Sequence, residues 1–179
     1  LGKQKETQIG RGEVPNRFLA FTAPLQKAIA DYTANGGSIL VSGSYVATDI
    51  WDKANPDEAS KEFAKQTLGY QWRVGQATIE GKAHTVPTYF DSFGDLNVEY
   101  YTTLNDKFYA VESPDGIYPA DKTKGCTLMR YGGNNIPAAV VADQGGYRTC
   151  VMGFPFETIK DAASRRALMG QIMEFFNKK

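Results

Sequence analysis

Val151-Met152-Gly153-Phe154-Pro155-Phe156-Glu157-Thr158-Ile159-Lys160 is the stretch whose reading decides the fold. Its apolar start predicts a buried strand, and Gly153 to Phe156 predict a tight aromatic-proline loop. An amphipathic helix follows from about Asp161 to Phe176, with Leu168, Met169, Ile172, Met173 and Phe176 as its expected buried face. Glu157 stands at the exit of the strand, where open α/β sheets place their chemistry. No histidine stands beside it, and the one histidine of the chain, His84, is far away in sequence. The stretch therefore predicts an enzyme-like scaffold with an incomplete catalytic set.

Working back from this stretch, residues 126–131, 137–143 and 147–153 alternate and turn like three consecutive antiparallel strands. Their turns lie at Gly132-Gly133-Asn134-Asn135 and Asp143-Gln144-Gly145-Gly146. Folding about those turns places Cys126 opposite roughly Ala142 and Cys150 opposite roughly Val140. The two thiols then flank the middle strand ~9–10 Å apart. A disulfide needs Cα atoms within ~7 Å, so two free, buried cysteines are expected.

Nearer the start, residues 1–20 are polar and read as a loop. Thr22-Ala23-Pro24 opens a helix with Leu25, Ala28, Ile29 and Tyr32 as its apolar stripe, stopped by Asn35-Gly36-Gly37. Ser38-Ile39-Leu40-Val41 is a short apolar strand of the kind that helices cover on both faces. Ser42-Gly43-Ser44 is a small-residue turn, Val46 to Trp51 a short helix, and Pro56-Asp57-Glu58 the start of another, with Ala59, Phe63, Ala64 and Leu68 on one face and Gly69 at its end. From 71 to 118 the pattern becomes an antiparallel β insertion, with short strands such as Trp72-Val74 and Ala77-Ile79. It carries Tyr89, Phe90, Phe93, Tyr100, Tyr101, Phe108, Tyr109 and Tyr118.

Composition narrows the function. Lys plus Arg and Asp plus Glu are both 20 in 179 residues, a formal charge of zero that lacks the footprint of a nucleic-acid binder. No apolar run reaches the ~18 residues needed to span a bilayer. The length is that of a single domain, and the opening Leu1-Gly2-Lys3 is expected to be an internal point of a longer polypeptide. Ten Tyr, ten Phe and two Trp favour a surface that stacks on a flat ring such as a sugar.

The order of helix, buried strand, small-residue turn, helix, β insertion, β meander, strand-to-Glu loop and helix resembles the later part of the class I glutamine amidotransferase-like fold. That family carries a cysteine on a sharp turn after a buried strand and a second strand ending in Gln-Phe-His-Pro-Glu. Here Phe154 and Glu157 match the second pattern, Pro155 takes the histidine position, and Ser42-Gly43-Ser44 holds no cysteine. The segments Gly37 to Val46 and Met152 to Ile159 are similar to the amidotransferase-like domain of large secreted Bacteroidetes proteins labelled xanthan lyase-like. The resemblance implies an α/β, flavodoxin-like core, N-terminally incomplete, with an antiparallel β insertion (71–118) and a β meander in one domain over 1–179. It also implies a degenerate, non-catalytic domain of a protein that is secreted, periplasmic or at the cell surface. Its partners would be a polysaccharide and neighbouring domains of the same chain, with no cofactor.

Alternatives follow from the residues themselves. Ser42 or Ser44 lies where a nucleophile elbow would place a serine, though neither sits in a full G-x-S-x-G pattern. His84 would then be the base, and Glu157 or Asp49 its orienter. The simpler reading is that small residues suit a tight strand-to-helix turn and that Glu157 serves the nearby helix; His84 is expected in an exposed turn. A polysaccharide lyase would need a base and a uronate-neutralising group, and spacing alone assembles no such set. The aromatics fit the core face of a pleated sheet, so most rings are expected to turn inward. If sugar binds, Tyr89, Tyr100, Tyr101 and Tyr109 are the candidates. Asp91, Asp95 and Asn97 offer oxygens that suit calcium without the spacing of a calcium loop, and no metal or phosphate motif stands out.

Overall fold

The computed structural model describes residues 20–51, 58–106 and 110–178. In chain order these form α1 (Ala23–Ala34), β1 (Ile39–Ser42), α2 (Thr48–Trp51) and α3 (Glu58–Phe63), which runs on as a π-helical turn, Ala64–Leu68. Then come β2 (Tyr70–Val74), β3 (Lys82–Thr85), β4 (Asn97–Glu99), β5 (Gly116–Pro119), β6 (Gly125–Tyr131), β7 (Pro137–Asp143), β8 (Arg148–Met152) and α4 (Ala162–Asn177).

The main sheet is mixed, in the order β1-β8-β7-β6-β3-β4. Only β1 and β8 run parallel, with Val41 beside Val151; the other pairs are antiparallel. The three-strand meander forms where its sequence predicts. Its register differs by one residue: Cys126 and Cys150 both lie opposite Val141, on its two sides, and both are free. The expected insertion is not a separate unit. β3 and β4 extend the main sheet, and β2 and β5 form their own two-stranded ribbon. Ala77-Ile79, expected as a strand, is a turn region, whereas His84, expected in a turn, lies in β3 opposite Asn97 and Arg130.

Alternation along the central strands divides the core in two. Val41, Val140 and Val151 face a layer made by α1, α2, α3 and the β2–β5 ribbon, with Ile29, Val46, Ile50, Leu68, Tyr70 and Ile117 buried there. Ala139, Val141, Cys150 and Met152 face the other way, onto Leu168, Ile172 and Phe175 of α4 and onto Tyr100 and Phe154. Strands covered on both faces read as continuous apolar runs, as β7 and β8 do.

Several helix faces are rotated from expectation. In α1, Ile29 and Thr33 are buried while Tyr32 is 55% exposed, because Leu25, Ile29 and Thr33 recur at four-residue steps. Ala59 in α3 is exposed, while Phe63, Ala64 and Leu68 are buried. In α4 the stripe is Leu168, Ile172 and Phe175; Met173 is exposed, and Met169 and Phe176 are half-buried. The helix starts at Asp161, whose carboxylate accepts from Ser164 N at 2.7 Å. Arg148 fixes its far end: Nη1 donates to Phe175 O at 2.5 Å, Nε donates to Asp143 at 2.9 Å, and the guanidinium lies 5.0 Å from the Phe175 ring centre. The expected helix start at Pro56-Asp57 and nearly all of the loop expected over residues 1–20 lie outside the described residues.

Burial makes α4 a test of this arrangement. Ile172→Ala should cost ~2–5 kcal/mol, whereas Met173→Ala should stay within ~0.5 kcal/mol. Urea unfolding of both variants checks this, and equal losses would place the buried face of the helix elsewhere.

Candidate functional site

The site grows from the turn after β1. The chain leaves Ser42, passes Gly43 and Ser44, and reverses at Tyr45, which takes φ 62°, before α2 begins at Thr48. A non-glycine residue in the left-handed region is uncommon and carries strain. Tyr45 is therefore the residue at the sharp point of the elbow, two positions after Gly43 and two before Ala47. Ser42 and Ser44, singled out from sequence, lie before that point. Ser44 is 2% exposed, and the Ser42 hydroxyl accepts from Phe156 N at 3.2 Å.

The amides just beyond the elbow point at a carboxylate from a distant part of the chain. Asp115, fully buried before β5, accepts from Ala47 N at 2.7 Å and from Thr48 N at 2.9 Å through Oδ2. Its Oδ1 accepts from the Thr48 hydroxyl at 2.5 Å, and that hydroxyl in turn accepts from Trp72 Nε1 at 3.1 Å. The main chain of Asp115 is held as firmly. Its N–H donates to Gly153 O at 2.7 Å, and its carbonyl accepts from the Tyr131 hydroxyl at 2.8 Å. Tyr70 adds a hydrogen bond from its hydroxyl to Val46 O at 2.6 Å. Gly153 permits the close approach: a Cβ there would lie 2.0 Å from Asp115 O.

Burial pushes the Asp115 carboxyl up to about 6, against the opposing pull of the Thr48 and Ala47 donors. Burial likewise raises the Tyr70 and Tyr131 hydroxyls well above their ordinary range. Neither Asp115 nor Tyr45 was named from sequence. The Gly43-x-Tyr45-x-Ala47 spacing could have drawn attention to Tyr45. Nothing along the chain indicates that Asp115 reaches a turn 68 residues earlier.

The other candidates fall in separate places. Glu157 is exposed, on a short 3-10 turn at Phe156–Thr158, and its neighbour Phe156 touches Ser42, so Ser42 and Glu157 share one end of the sheet. Asp49 lies on α2 and accepts from Ala20 N at 2.8 Å. His84 is on β3, four strand steps from β1, or ~19 Å at the usual strand spacing. The Ser, His and Glu of a hydrolase triad do not meet. Asp91 pairs with Lys178, and no group of three His, Cys, Asp or Glu side chains suited to a metal occurs among the described residues.

The candidate sugar-binding aromatics also divide. Tyr100 is 1% exposed and stacks on Phe154, centroids 4.7 Å apart, so it belongs to the core. This corrects the expectation that it faces a ligand: Tyr100 forms an antiparallel bridge with Ile159, which turns the ring inward onto Phe154. Tyr101 is half-buried, with the Lys160 ammonium 5.7 Å from its ring centre. Tyr109 and Phe108 lie outside the described residues. Tyr89 is 59% exposed and lines a cleft of about 580 Å³ together with Tyr118, Arg73, Lys122, Cys126 and Arg130.

No family model matches the chain, and no curated protein matches it. Among solved structures, a β-galactosidase from Rahnella sp. R3 is similar at TM-score 0.51 and 12% identity, over 85% of this chain and 20% of that one. A cytoplasmic protein from Salmonella typhimurium LT2 is similar at 0.48 and 18%, over 84% of this chain and 55% of that one. An exo-β-1,4-mannosidase from Opitutaceae bacterium strain TAV5 is similar at 0.48 and 14%, over 89% and 24%. The chain thus spans only part of each, about a fifth of the β-galactosidase. The likeness to the β-galactosidase is one of fold.

Two changes probe the clamp. Gly153→Ala drives a methyl group into the Asp115 carbonyl and should unfold the protein or cost more than ~2 kcal/mol, read from its thermal midpoint. Asp115 should also give stability a pH signature. A carboxyl raised by folding binds its proton more tightly in the native state. Its contribution is therefore fully present below ~4 and is lost as pH rises through about 6. The stability of the wild type minus that of Asp115→Asn should accordingly fall by up to ~3 kcal/mol between pH 4 and 7 in urea titrations. A difference that rises over that range would mean that the Ala47 and Thr48 donors outweigh burial.

Proposed function

We propose that this chain is a degenerate, non-catalytic domain of the class I glutamine amidotransferase-like kind, with a flavodoxin-like core. In this reading it supports or binds carbohydrate within a secreted, multidomain protein. The observation that carries the reading is the occupied elbow. In an acyl-transfer site, a nucleophile stands on the strained residue and backbone amides beside it await an oxyanion. Here the strained residue is Tyr45, and the next helix-entry amides, Ala47 N and Thr48 N, already donate to Asp115. Pro155 stands where the family pattern has histidine, and His84 is on the far side of the sheet. The parallel β1–β8 pair, with helices on both sheet faces, supports the flavodoxin-like assignment. The printed activities of the β-galactosidase and the mannosidase are those proteins' own.

Ammonia release from glutamine tests the reading directly. The unmodified chain should release none above the buffer blank, and Tyr45→Cys alone should not restore activity, because the one histidine of the chain lies four strands away from the elbow. Glutamine turnover by either protein would overturn the reading.

A further inference from the structure

We infer that the cleft between the β2–β5 ribbon and β6 is a binding site for an acidic oligosaccharide, a chain of pyranoses that carries uronate carboxylates. The inference rests on the non-catalytic reading above and names its ligand class. Tyr89 and Tyr118 supply aromatic surface, and Arg73, Lys122 and Arg130 supply three cations; among the described residues no carboxylate lines the cleft. Arg73 and Lys122 are exposed and make no hydrogen bond or ion pair with a described residue. Arg130 is steadied by donating from Nη1 to Asn135 O at 2.6 Å.

Tyr89 is a built platform rather than a loose surface ring. It packs on Phe90 at 4.4 Å between centroids, and Phe90 packs on Phe175 at 4.8 Å, so an exposed ring is anchored through the core to α4. Holding the ring in place before a ligand arrives removes part of the ordering cost of binding.

The shape extends beyond one ring. A second depression of about 590 Å³ shares Tyr118, Pro119 and Lys122 with the cleft and adds Lys65, Lys124 and Asp121, whose carboxylate accepts from Thr123 N and Oγ1. A third, about 320 Å³, shares Tyr89 with the cleft and adds Lys124 and Asp143, whose carboxylate is paired with Arg148. The three wrap around the Lys122–Lys124 turn as one branched groove, which suits a chain of several residues better than a single small anion. Pyranose rings offer an apolar C–H face to a tyrosine, and a uronate carboxylate matches the planar fork of arginine. A nucleic acid would meet the same aromatics and cations, but the formal charge of the whole chain is zero.

Calorimetric titration with a galacturonate tetramer, with a neutral glucose tetramer as control, tests the inference. The acidic tetramer should bind with a dissociation constant of about 0.1 mM, weaken with added salt, and outcompete the neutral one at least about tenfold. Tyr89→Ala and Arg73→Gln should each weaken binding about five- to tenfold with an unchanged melting temperature, since both side chains are exposed, and Tyr89→Trp should restore it. Cys126 lines the cleft whereas Cys150 is fully buried, so bound tetramer should also slow alkylation of Cys126. Absence of binding, equal binding of the neutral tetramer, indifference to both substitutions, or displacement by equimolar inorganic phosphate or by a short single-stranded DNA would overturn the inference. Product analysis of the same mixtures keeps the two proposals separate. Cleavage of the tetramer would overturn the non-catalytic reading and leave the binding site standing. An intact tetramer that does not bind would do the reverse.

Discussion

One buried carboxylate holds three parts of the chain in register. Asp115 takes two amide hydrogens and a hydroxyl hydrogen from the start of α2, while its own backbone bonds to Gly153 after β8 and to Tyr131 on β6. Burying a carboxyl is costly unless it is hydrogen-bonded, and here three donors, Ala47 N, Thr48 N and the Thr48 hydroxyl, are directed at it. The elbow after β1, the entry to β5 and the exit of β8 cannot move independently. The same contacts occupy the elbow amides Ala47 N and Thr48 N, so the bonds that fix the turn also fill its donors.

The sheet shows how the rest is built on that clamp. Among the described residues β1 and β8 are the only parallel pair, and their carboxyl ends carry the elbow and the Glu157 turn. Beyond β8 the sheet is antiparallel; β6, β7 and β8 need only tight turns to connect, whereas β3 and β4 join it from an earlier part of the chain. The π-helical turn at Ala64–Leu68 is tied to the outer end of the meander. Thr149 Oγ1 donates to Leu68 O at 2.8 Å, and the Tyr147 hydroxyl donates to Thr67 O at 3.0 Å. Gly69 then reverses in the left-handed region, φ 78°, where a Cβ would meet Ala142 at 2.8 Å, and the chain can enter β2 close against the sheet.

What the sequence made legible follows from distance along the chain. The meander, α1 and α4 rest on local signals, namely turns, caps and periodicity, and they form within a residue or two of where those signals place them. The faces of α1 and α4 were misjudged because consecutive apolar residues, such as Leu168-Met169 and Ile172-Met173, allow two stripes and only packing chooses between them. The pairing of β3 with β6, the ribbon of β2 with β5, and the reach of Asp115 to Ala47 join residues tens of positions apart. No local pattern encodes such partners. Tyr100 and Tyr89 illustrate the same limit: both are tyrosines in irregular sequence, and only the tertiary fold sends one ring onto Phe154 in the core and leaves the other in solvent.

Irregularities in the two sheets explain why the cationic cleft lies where it does. The β2–β5 register shifts between Trp72 and Val74, so Arg73 sits at the irregularity, exposed. The β6–β7 register shifts on both sides of Met129, next to Arg130. A bulge re-aims a side chain that regular alternation would commit to one face. Trp72 meanwhile keeps its hydrogen bond to Thr48 within the Asp115 network, and Met129 stays in the core. Each shift thus keeps a structural residue inward while an adjacent arginine joins the lining of the cleft. The Asp115 clamp reaches the cleft through Trp72 and β2, so the strand that bonds to the clamp also positions one of the cations.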